Sequence, residues 1–541
     1  MKRIIAITLS IIFVLMSFTA CSGDKDNNPS SNPTANNSPE ATLADVSVTF
    51  SKFENAKLNY TSLSEFTTEK DDAFQSMTEE YIFLPEGAVI SSDKEFALYI
   101  FSDTFAINQV VMQATGQQLD GFNPTPKAGE ITLKEDAYAR ITVKGALSDI
   151  KIKVPEEEKT AVMCGSQDVL KYREDIAIAN NFYSASANNV NYVFVTDIHY
   201  GSEVSDRDGD GKRDYDSLED VAKKLEDLKG YLDKVVAVVN ASPYIDFLVV
   251  GGDIVNGYET PDSFNYQEHK KSNPDLTIGK HVIMQHQEIL APLKKLEKPV
   301  FILSGNHDDN NGHSIYNVTK EAKWLVSDLD WDKGVFREFI NVDVVRDPDY
   351  SYNGKSISKY YYYDLTKNNK TTRIICLDYN DDRFTFDSKG EVTAQPNWGG
   401  YHESQIRWLA SVALNGDFDE CIILSHQGYK NYEGSGIRDD LLDRTLEAYQ
   451  TKSRMKMTAL SVDYADRTGG DIIVYHHGHE HDHARDFDFK KRIWELNTPM
   501  MVTAVDLVSV SSDKVLSRAL VKAKPIIYEM LRNGTVNQTV Q

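Results

Sequence analysis

Five short apolar segments of this chain each end in side chains that can bind a divalent metal ion. Aspartate, asparagine and histidine together supply oxygen and nitrogen ligands, a mixed set that suits zinc, manganese or iron, whereas a calcium site would use oxygen alone. Two such ions held close together can hydrolyse a phosphate ester. The segment endings are Asp197-Ile198-His199, Gly252-Asp253, Gly305-Asn306-His307, Ser425-His426 and Gly478-His479-Glu480-His481.

The apolar segments are predicted to be strands that bring these side chains together. In an open α/β fold the carboxyl ends of parallel strands share one edge of the sheet, where active sites form. Asp197 and His199 lie two residues apart, as do His479 and His481, and alternate residues of an extended chain point the same way. We therefore expect the five endings to converge on one site. The strands are predicted over residues 192–196, 247–250, 300–303, 421–424 and 472–475.

A helical pattern follows the first of these strands, and strand–helix–strand units recur through Val300. Such units feed a mostly parallel sheet. The long insertion over residues 307–425 is expected to add strands and loops over the site, with its tyrosine run at 360–363 packing in a strand. Further strands are expected around Ile493, Val502 and Val508. The helical pattern has apolar residues three or four apart, as an amphipathic helix does, at Leu218, Val221, Leu225, Leu228, Leu232, Val235 and Val239.

The region before this α/β pattern alternates between apolar and polar residues. Ala137, Ala139, Ile141 and Val143 alternate with polar or aromatic neighbours, and the same period recurs at residues 150–154. A period of two indicates half-buried antiparallel strands, so we expect a small all-β sandwich. Substrate delivery, carbohydrate adhesion and spacing all remain open as its role.

The amino terminus carries a secretion signal. Lys2 and Arg3 precede an apolar stretch at residues 4–18, which is shorter than the roughly 20 residues that a membrane-spanning helix needs. The residues before Cys21 resemble a bacterial lipoprotein cleavage box, so we expect a secreted protein anchored by lipidated Cys21 to the outer face of a bacterial membrane. A plain signal peptide with an incidental cysteine is the alternative. The Asn-, Ser- and Pro-rich residues that follow are too polar to fold.

These patterns divide the 541 residues into four parts. We expect a signal peptide at 1–20, a disordered tether at 21–42, an accessory β-sandwich at 43–185 and an α/β domain at 186–541.

The formal net charge of -24 argues against nucleic acid as a partner, because basic patches bind phosphate backbones. It does not exclude a phosphorylated substrate, since bound cations reverse the local field. After Cys21 three cysteines remain, and an odd number cannot all pair. Cys376 and Cys421 lie in apolar runs and are expected to be buried free thiols, with Cys164 as the third. The oligomeric state stays open.

The five motifs together resemble the calcineurin-like metallophosphoesterase family, in the family's order and over about residues 190 to 485. The resemblance implies a four-layer α/β/β/α sandwich. Purple acid phosphatases, which are related, carry Gly in place of His199 and Tyr three residues after the bridging Asp. This chain has Asn256 there, so the tyrosine-ligated variant is not expected.

The same resemblance implies a role for each motif residue. Two divalent ions (Mn, Zn or Fe) would be bound, with Asp253 bridging them. His307 would face the phosphoryl oxygens of the substrate or protonate the leaving group, and Asp308 would orient His307 from behind. The first ion would be held by Asp197, His199, Asp253 and His481, and the second also by Asn306, His426 and His479.

The expected function is hydrolysis of phosphate esters by a hydroxide that bridges the two metals and attacks phosphorus in line with the leaving group. Phosphomonoesters and phosphodiesters both fit such a centre. The alternative is an adhesion or ligand-binding lipoprotein with a vestigial hydrolase domain. Candidate pocket neighbours, by position alone, are Asp309, Asn310, Tyr379 and Asn380.

A second ion site is suggested by an acidic loop. Asp206, Asp208 and Asp210 with Gly211 open like a calcium loop, but Ser217 stands where a bidentate carboxylate belongs. Calcium binding, with Asp214 as a further ligand, and a solvated acidic loop are both left open.

The remaining histidines have no motif of their own. We expect His476 and His477 to belong to a strand, His402 is a candidate to reach the site from a loop, and His483 continues the alternation of His479 and His481. Surface or helix positions are expected for His269, His281, His286 and His313.

Overall fold

The structure is a computed structural model of the chain. The predicted signal peptide, the tether up to residue 41, the calcium-loop residues Asp206, Asp208 and Asp210, and His313 lie outside the residues that it describes. Those are 42–48, 52–71, 73–201, 204–205, 214–215, 217–310, 324–381, 385–386, 388, 392–394, 400–429, 440–452, 460–465, 467–521 and 525–540.

The amino-terminal region is rich in β-structure, as predicted. Nine of its strands form one antiparallel sheet, in which the long strand β7 pairs with β10, β11 and β12. Two short hairpins, β3 with β4 and β8 with β9, complete the described strands of this region. The strands are β1 Leu43–Val46, β2 Lys52–Glu54, β3 Ala56–Tyr60, β4 Phe66–Lys70, β5 Ser76–Thr78, β6 Tyr81–Leu84, β7 Val89–Phe101, β8 Leu119–Asp120, β9 Asn123–Pro124, β10 Lys127–Thr132, β11 Ala137–Val143, β12 Lys151–Pro155 and β13 Met163–Gly165.

The central strand β11 differs from the prediction, because both of its faces are buried and not only one. Arg140, on the face predicted to be exposed, is 3% exposed. Its guanidinium donates two hydrogen bonds to the Thr78 carbonyl, at 3.2 and 2.7 Å, and lies over the rings of Phe66 and Tyr81. A charged residue can be buried where its donors are satisfied in this way, so alternation alone did not identify the solvent face.

The second domain contains two seven-stranded sheets. The first runs in the order β18-β17-β14-β30-β31-β32-β33 and the second in the order β19-β22-β23-β26-β27-β29-β28. The strands are β14 Val190–Val195, β15 Val204–Ser205, β16 Asp214–Tyr215, β17 Phe247–Val250, β18 Val300–Ile302, β19 Val345–Arg346, β20 Ser351–Tyr352, β21 Lys355–Ser356, β22 Tyr361–Lys367, β23 Lys370–Cys376, β24 Thr385–Phe386, β25 Val392–Ala394, β26 Glu420–Leu424, β27 Asp471–His477, β28 Ala484–Asp488, β29 Ile493–Asn497, β30 Asp506–Val510, β31 Lys514–Ala519, β32 Ile526–Leu531 and β33 Val536–Val540.

Helices cover the outer faces of the two sheets. The predicted amphipathic helix is confirmed as α4, whose Val221, Leu228, Leu232 and Val235 are buried. Among the described residues, no helix is long and apolar enough to cross a membrane. The α-helices are α1 Gln109–Ala114, α2 Gln167–Leu170, α3 Arg173–Ser184, α4 Leu218–Ala241, α5 Phe264–Ser272, α6 Ile278–Ile289, α7 Asp328–Trp331, α8 Arg337–Phe339, α9 Glu403–Trp408 and α10 Asp440–Gln450.

The expected four-layer α/β/β/α sandwich is confirmed by the side chains of β26. Ile422 and Leu424 join the core that also contains β14, β17 and α4, so they face the first sheet. Cys421 and Ile423 point the other way, into a cluster that includes residues of α9 and α10. The second sheet is therefore covered on both faces. Cys376 and Cys421 are buried free thiols, as predicted.

The five predicted strands are all present, but they do not share one sheet. The strands β14, β17 and β18 are parallel neighbours in the first sheet, whereas β26 and β27 are parallel neighbours in the second. The expectation of a single parallel sheet edge was therefore wrong. The endings converge because the carboxyl edges of two packed sheets meet.

The predicted insertion is part of the domain's core and not only a cover over the site. Its tyrosine run enters β22, where Tyr361 is fully buried, and β22 and β23 lie between β19 and β26 in the second sheet. Val502 is not in a strand; it lies in a turn between β29 and β30 and is 45% exposed. The segments around Ile493 and Val508 are strands, as predicted.

The boundary between the two domains is best placed before α3. Leu170 of α2 belongs to the core of the β-rich region, but Ile176, Phe182 and Tyr183 of α3 belong to the core of the second domain. The Tyr183 hydroxyl donates a hydrogen bond to the Tyr192 carbonyl of β14. We therefore propose a boundary between residues 170 and 176, earlier than the predicted residue 185.

Because the second sheet is covered on both faces, shortening a side chain on either face of β26 should destabilise the protein to a similar extent. We expect Ile422→Ala and Ile423→Ala each to lower the free energy of unfolding by about 2–5 kcal/mol, since both side chains are fully buried. Urea denaturation followed by tryptophan fluorescence measures this change. Thr366→Ala, at an exposed position of β22, should change it by less than about 0.5 kcal/mol. A small effect of Ile423→Ala would contradict the outer helix layer.

Candidate metal centre

The loops that follow β14, β17 and β27 are joined to their neighbours by backbone hydrogen bonds. The Asp197 amide donates to the Gly252 carbonyl and the His199 amide to the Asp253 carbonyl, each at 3.0 Å. The Gly478 amide donates to the His426 carbonyl, also at 3.0 Å. The His479 backbone amide also donates to Asp197 Oδ2 at 3.1 Å, which joins the site residues of the two sheets.

Backbone strain is concentrated at the predicted metal ligands. A positive φ is uncommon for residues other than glycine and costs about 1–3 kcal/mol, so such residues cluster at functional sites. Five of the seven predicted ligands have a left-handed backbone, with φ of 54° at Asp197, 52° at His199, 49° at Asp253, 73° at His479 and 53° at His481.

The first group of ligands is formed by Asp197, His199 and His481, whose ligand atoms all lie within 4.8 Å of one another. Asp197 Oδ1 lies 3.1 Å from His481 Nε2 and 3.7 Å from His199 Nε2. The two ring nitrogens are 3.0 Å apart. Asp197 Oδ1 is buried without a hydrogen-bond partner among the described residues, while its Oδ2 accepts from Thr196 Oγ1 and the His479 amide. A cation between these atoms would satisfy the buried oxygen.

The second group is formed by Asp253, His426 and His479. His426 Nε2 lies 3.1 Å from Asp253 Oδ2 and 3.1 Å from Asn306 Oδ1. The other ring nitrogen of His426, Nδ1, is 2.9 Å from the Gly251 carbonyl and must donate to it. That hydrogen bond fixes the tautomer and leaves Nε2 for a metal, as in many metal sites.

Asp253 lies between the two groups, because its Oδ2 is also 3.9 Å from His199 Nε2. The donor set therefore fits two divalent ions that share Asp253. Asp253 is 1% exposed and Asp197 is fully buried, so both carboxylates need a compensating positive charge.

The pKa values describe the same need for positive charge. Burial raises the pKa of Asp253, but His426 and His307 lower it more, so the net pKa falls well below 3.8. Burial lowers the pKa of His426, but the Asp253 carboxylate beside it raises the net pKa to about 10. Burial and the nearby His426 charge lower the pKa of His479 to about 4. A bound cation would take the place of the proton on His426.

His307 faces the same carboxylate from another direction. Its Nε2 lies 3.8 Å from Asp253 Oδ2, and its amide donates to Asp253 Oδ1 at 2.9 Å. Its Nδ1 lies 2.6 Å from the Asn256 carbonyl, which therefore accepts the Nδ1 proton and sets the ring orientation. Burial lowers the pKa of His307, while the Asp253 carboxylate acts in the opposite direction. The ring of Tyr258 packs edge-on against it.

Asp308 does not orient His307, and this prediction was wrong. Its Oδ1 accepts hydrogen bonds from the Ile254 and Val255 amides, at 2.7 and 3.2 Å. Its Oδ2 accepts from the Gly305 amide at 2.7 Å. The carboxylate thus joins the loop that carries Asp253 to the loop that carries Asn306.

His286 is a residue of this centre that the sequence did not reveal. It is fully buried on α6, and its Nε2 lies 3.1 Å from Asp308 Oδ1. The only sequence signal was its place on the buried face of the helix with Val282 and Ile289. That position alone does not distinguish it from a core histidine.

Two motif glycines are required because the loops approach closely. A Cβ atom on Gly305 would overlap the carboxylate and amide of Asp253, and one on Gly478 would overlap Thr196 Oγ1 and Asp197 Oδ2. Any larger residue at either position would push a predicted ligand out of place.

The candidate pocket neighbours are buried and hydrogen-bonded to one another or to nearby backbone. The side-chain amide of Asn380 donates from Nδ2 to Asp309 Oδ2 at 2.7 Å. The side-chain amide of Asn310 donates to the backbone carbonyls of Glu259 and Trp324. Tyr379 packs edge-on against Tyr401.

The remaining histidines divide as follows. His402 is exposed and accepts from the Ser404 amide at the start of α9, so the structure does not bring it to the site. His476 and His477 belong to β27, as predicted, and His483 Nε2 lies 2.9 Å from Asp506. His269 lies on α5 and His281 on α6, as predicted.

Replacing Asp308 should weaken metal binding without touching a predicted ligand. In Asp308→Asn an amide group would face backbone N–H groups that now donate to a carboxylate. We expect the Zn²⁺ affinity to fall about 10–100-fold, the usual effect of losing a partner behind metal ligands. Competition with a chromophoric chelator measures the affinity. Asp233→Asn, on the outer side of α4, is the matched control and should leave it unchanged. Equal affinities would contradict the role assigned to Asp308.

Comparison with known proteins places this centre in a family. Solved structures that resemble the chain include a 5'-nucleotidase precursor from Thermus thermophilus, with 11% identity over 64% of this chain and 53% of that chain and a TM-score of 0.29. Another is the Thermus thermophilus sulfate thiohydrolase SoxB, with 10% identity over 65% and 58% and a TM-score of 0.30. A third is the phosphopantetheinyl hydrolase PptH from Mycobacterium tuberculosis, with 11% identity over 58% and 92% and a TM-score of 0.28.

The chain thus matches little more than half the length of the first two structures. The comparison with curated proteins gave no match. The family model of calcineurin-like phosphoesterases matches residues 190–483, which is more than half of the chain and contains all five motifs. The chain therefore belongs to the calcineurin-like phosphoesterase family.

Proposed function

We propose that the chain is a metal-dependent hydrolase of phosphate esters that uses two divalent ions, manganese, zinc or iron. The observation that carries this proposal is the position of Asp253. It shares one group of possible ligands with His426 and His479 and another with His199 and His307. A carboxylate between two ligand groups is the arrangement that a two-ion centre requires.

The ions, when bound, would polarise the phosphoryl oxygens and supply the nucleophile from water. The chain's own residues would hold the ester in place. His307, fixed by the Asn256 carbonyl, would direct Nε2 toward the phosphoryl group or the leaving oxygen. Tyr258 beside it would limit the movement of that ring. Because Nδ1 donates to the Asn256 carbonyl, Nε2 can donate to the substrate only when the ring is protonated, and such a donor stabilises charge as it develops in the transition state.

An adhesion protein with a vestigial hydrolase domain is the alternative. All seven predicted ligands are present, and five of them keep a strained backbone that has a cost in stability. A binding protein without catalysis would have no use for that strain. We therefore favour the hydrolase, acting on phosphomonoesters or phosphodiesters.

Chelator-treated protein reconstituted with Mn²⁺ or Zn²⁺ should bind two ions per chain and hydrolyse p-nitrophenyl phosphate or bis(p-nitrophenyl) phosphate. Asp253→Asn removes the shared negative charge and should lower kcat/KM at least about a hundredfold. His402→Asn, which keeps a residue that can cap α9, should retain full activity. Absence of turnover with any metal and either ester, or full activity of Asp253→Asn, would refute the hydrolase.

We also propose that the enzyme acts outside the cytoplasm, held to a bacterial membrane through lipidated Cys21 and the polar segment after it. Cys21→Ser removes the thiol that would carry the lipid. We expect the wild-type protein to sediment with membranes and Cys21→Ser to appear in the soluble fraction, as measured by immunoblotting of fractionated cells. Cys164→Ser is the control, and release of both variants would argue against an anchor at Cys21.

A further inference from the structure

A groove lies along α4, and none of its lining residues is a predicted metal ligand. It has a volume of about 790 Å³, within the range of ligand sites. One wall is α4 and the other includes Lys171 and Tyr172, in the segment between α2 and α3. The groove is therefore formed between α4 and the segment that joins α2 to α3.

The groove has a positive lining in an acidic protein. Lys171, Lys223, Lys224 and Lys234 line it, against two aspartates, although the chain as a whole has 82 acidic and 58 basic residues. Concentrating four lysines on one surface of a chain with net charge -24 creates a local site for anions.

Two of these lysines lie beside tyrosine rings, of which Tyr172 is partly buried and Tyr231 is exposed. Lys171 Nζ is 5.3 Å from the ring centre of Tyr172, and Lys234 Nζ is 5.6 Å from that of Tyr231. Tyr231 is 40% exposed. Such pairs offer a ligand both a charge and a flat apolar surface, which suits phosphate groups linked by carbon chains or rings.

The lining residues of α4 form a single stripe. Asp220, Lys223, Asp227, Tyr231 and Lys234 are spaced three or four apart, so they follow one face of the helix. At 1.5 Å per residue the stripe is about 21 Å long. That length exceeds a single phosphate ester and fits a ligand with repeating phosphates.

One lining residue of the groove lies in a segment that contacts the loops of the metal centre. Val502 lines the groove, and the neighbouring Met501 amide donates to the Thr196 carbonyl, one residue before Asp197. In the same turn the Thr498 amide donates to the His477 carbonyl, two residues before His479. The segment that carries Val502 thus links the groove to the loops of two predicted ligands.

We propose that the groove is a second binding site for an extended phosphodiester substrate with a phosphate in each repeat. One phosphodiester of the polymer lies at the metal centre, and the following phosphates contact the lysines along α4. This assignment rests on the proposed hydrolase function and adds to it the class of substrate.

The test compares a short ester with an oligomer of glycerol phosphate, which has the proposed repeat. We expect the double variant Lys223→Gln, Lys234→Gln to raise KM for the oligomer about tenfold, because two charge-assisted contacts are lost. Hydrolysis of bis(p-nitrophenyl) phosphate, which is too short to enter the groove, should change less than about twofold. Lys294→Gln, Lys295→Gln, in the 3-10 helix before the amino end of β18, is the matched control and should resemble wild type with both substrates.

Binding of the oligomer to metal-free protein, measured by calorimetry, gives a readout independent of turnover. Wild type should bind the oligomer, and the groove variant about tenfold more weakly. Equal loss with both substrates, or equal oligomer affinity of variant and wild type, would overturn the proposal. If wild type cleaves the short ester but neither binds nor cleaves the oligomer, the groove assignment fails while the hydrolase stands. If wild type cleaves no ester, the substrate assignment fails together with the hydrolase.

Discussion

The buried carboxylates of Asp197 and Asp253 set the requirement that the rest of the site meets. Both are almost inaccessible to water, and a buried charge costs several kcal/mol unless it is compensated. Histidines surround both carboxylates, and the Asp253 carboxylate raises the pKa of one of them, His426, to about 10. The arrangement is balanced only when positive charge lies between the ligands, which is why the centre favours divalent cations.

Placing ligands around two carboxylates from all sides needs more than one sheet edge. Asp197, Asp253 and Asn306 follow strands of the first sheet, whereas His426 and His479 follow strands of the second. The metal centre therefore spans the packing interface of the two sheets. Asp308 adds a local connection within the first sheet, because it binds backbone amides of two neighbouring loops. Disturbing the packing between the sheets would separate ligands without changing any of them.

The sequence predicted the strands and the clustering of the candidate ligands, because both depend on local patterns. An apolar run followed by Asp, Asn or His is visible in one segment at a time. Prediction from the sequence failed where a contact depends on residues that are distant along the chain. The division of five strands between two sheets is set by packing, the partners of Asp308 come from another loop, and His286 reaches it from a helix. The burial of Arg140 depends on a carbonyl supplied by Thr78 on a different strand.

The strained ligand loops depend on the large core for their stability. Five ligand residues with left-handed backbone cost about 1–3 kcal/mol each, a sum comparable with the whole net stability of a typical domain. Such loops persist only if the surrounding structure leaves the chain no alternative. The second sheet is covered on both faces, and the motif glycines let the loops approach within contact of the carboxylates. The four layers thus supply the stability that holds the ligands in a geometry they would not adopt alone.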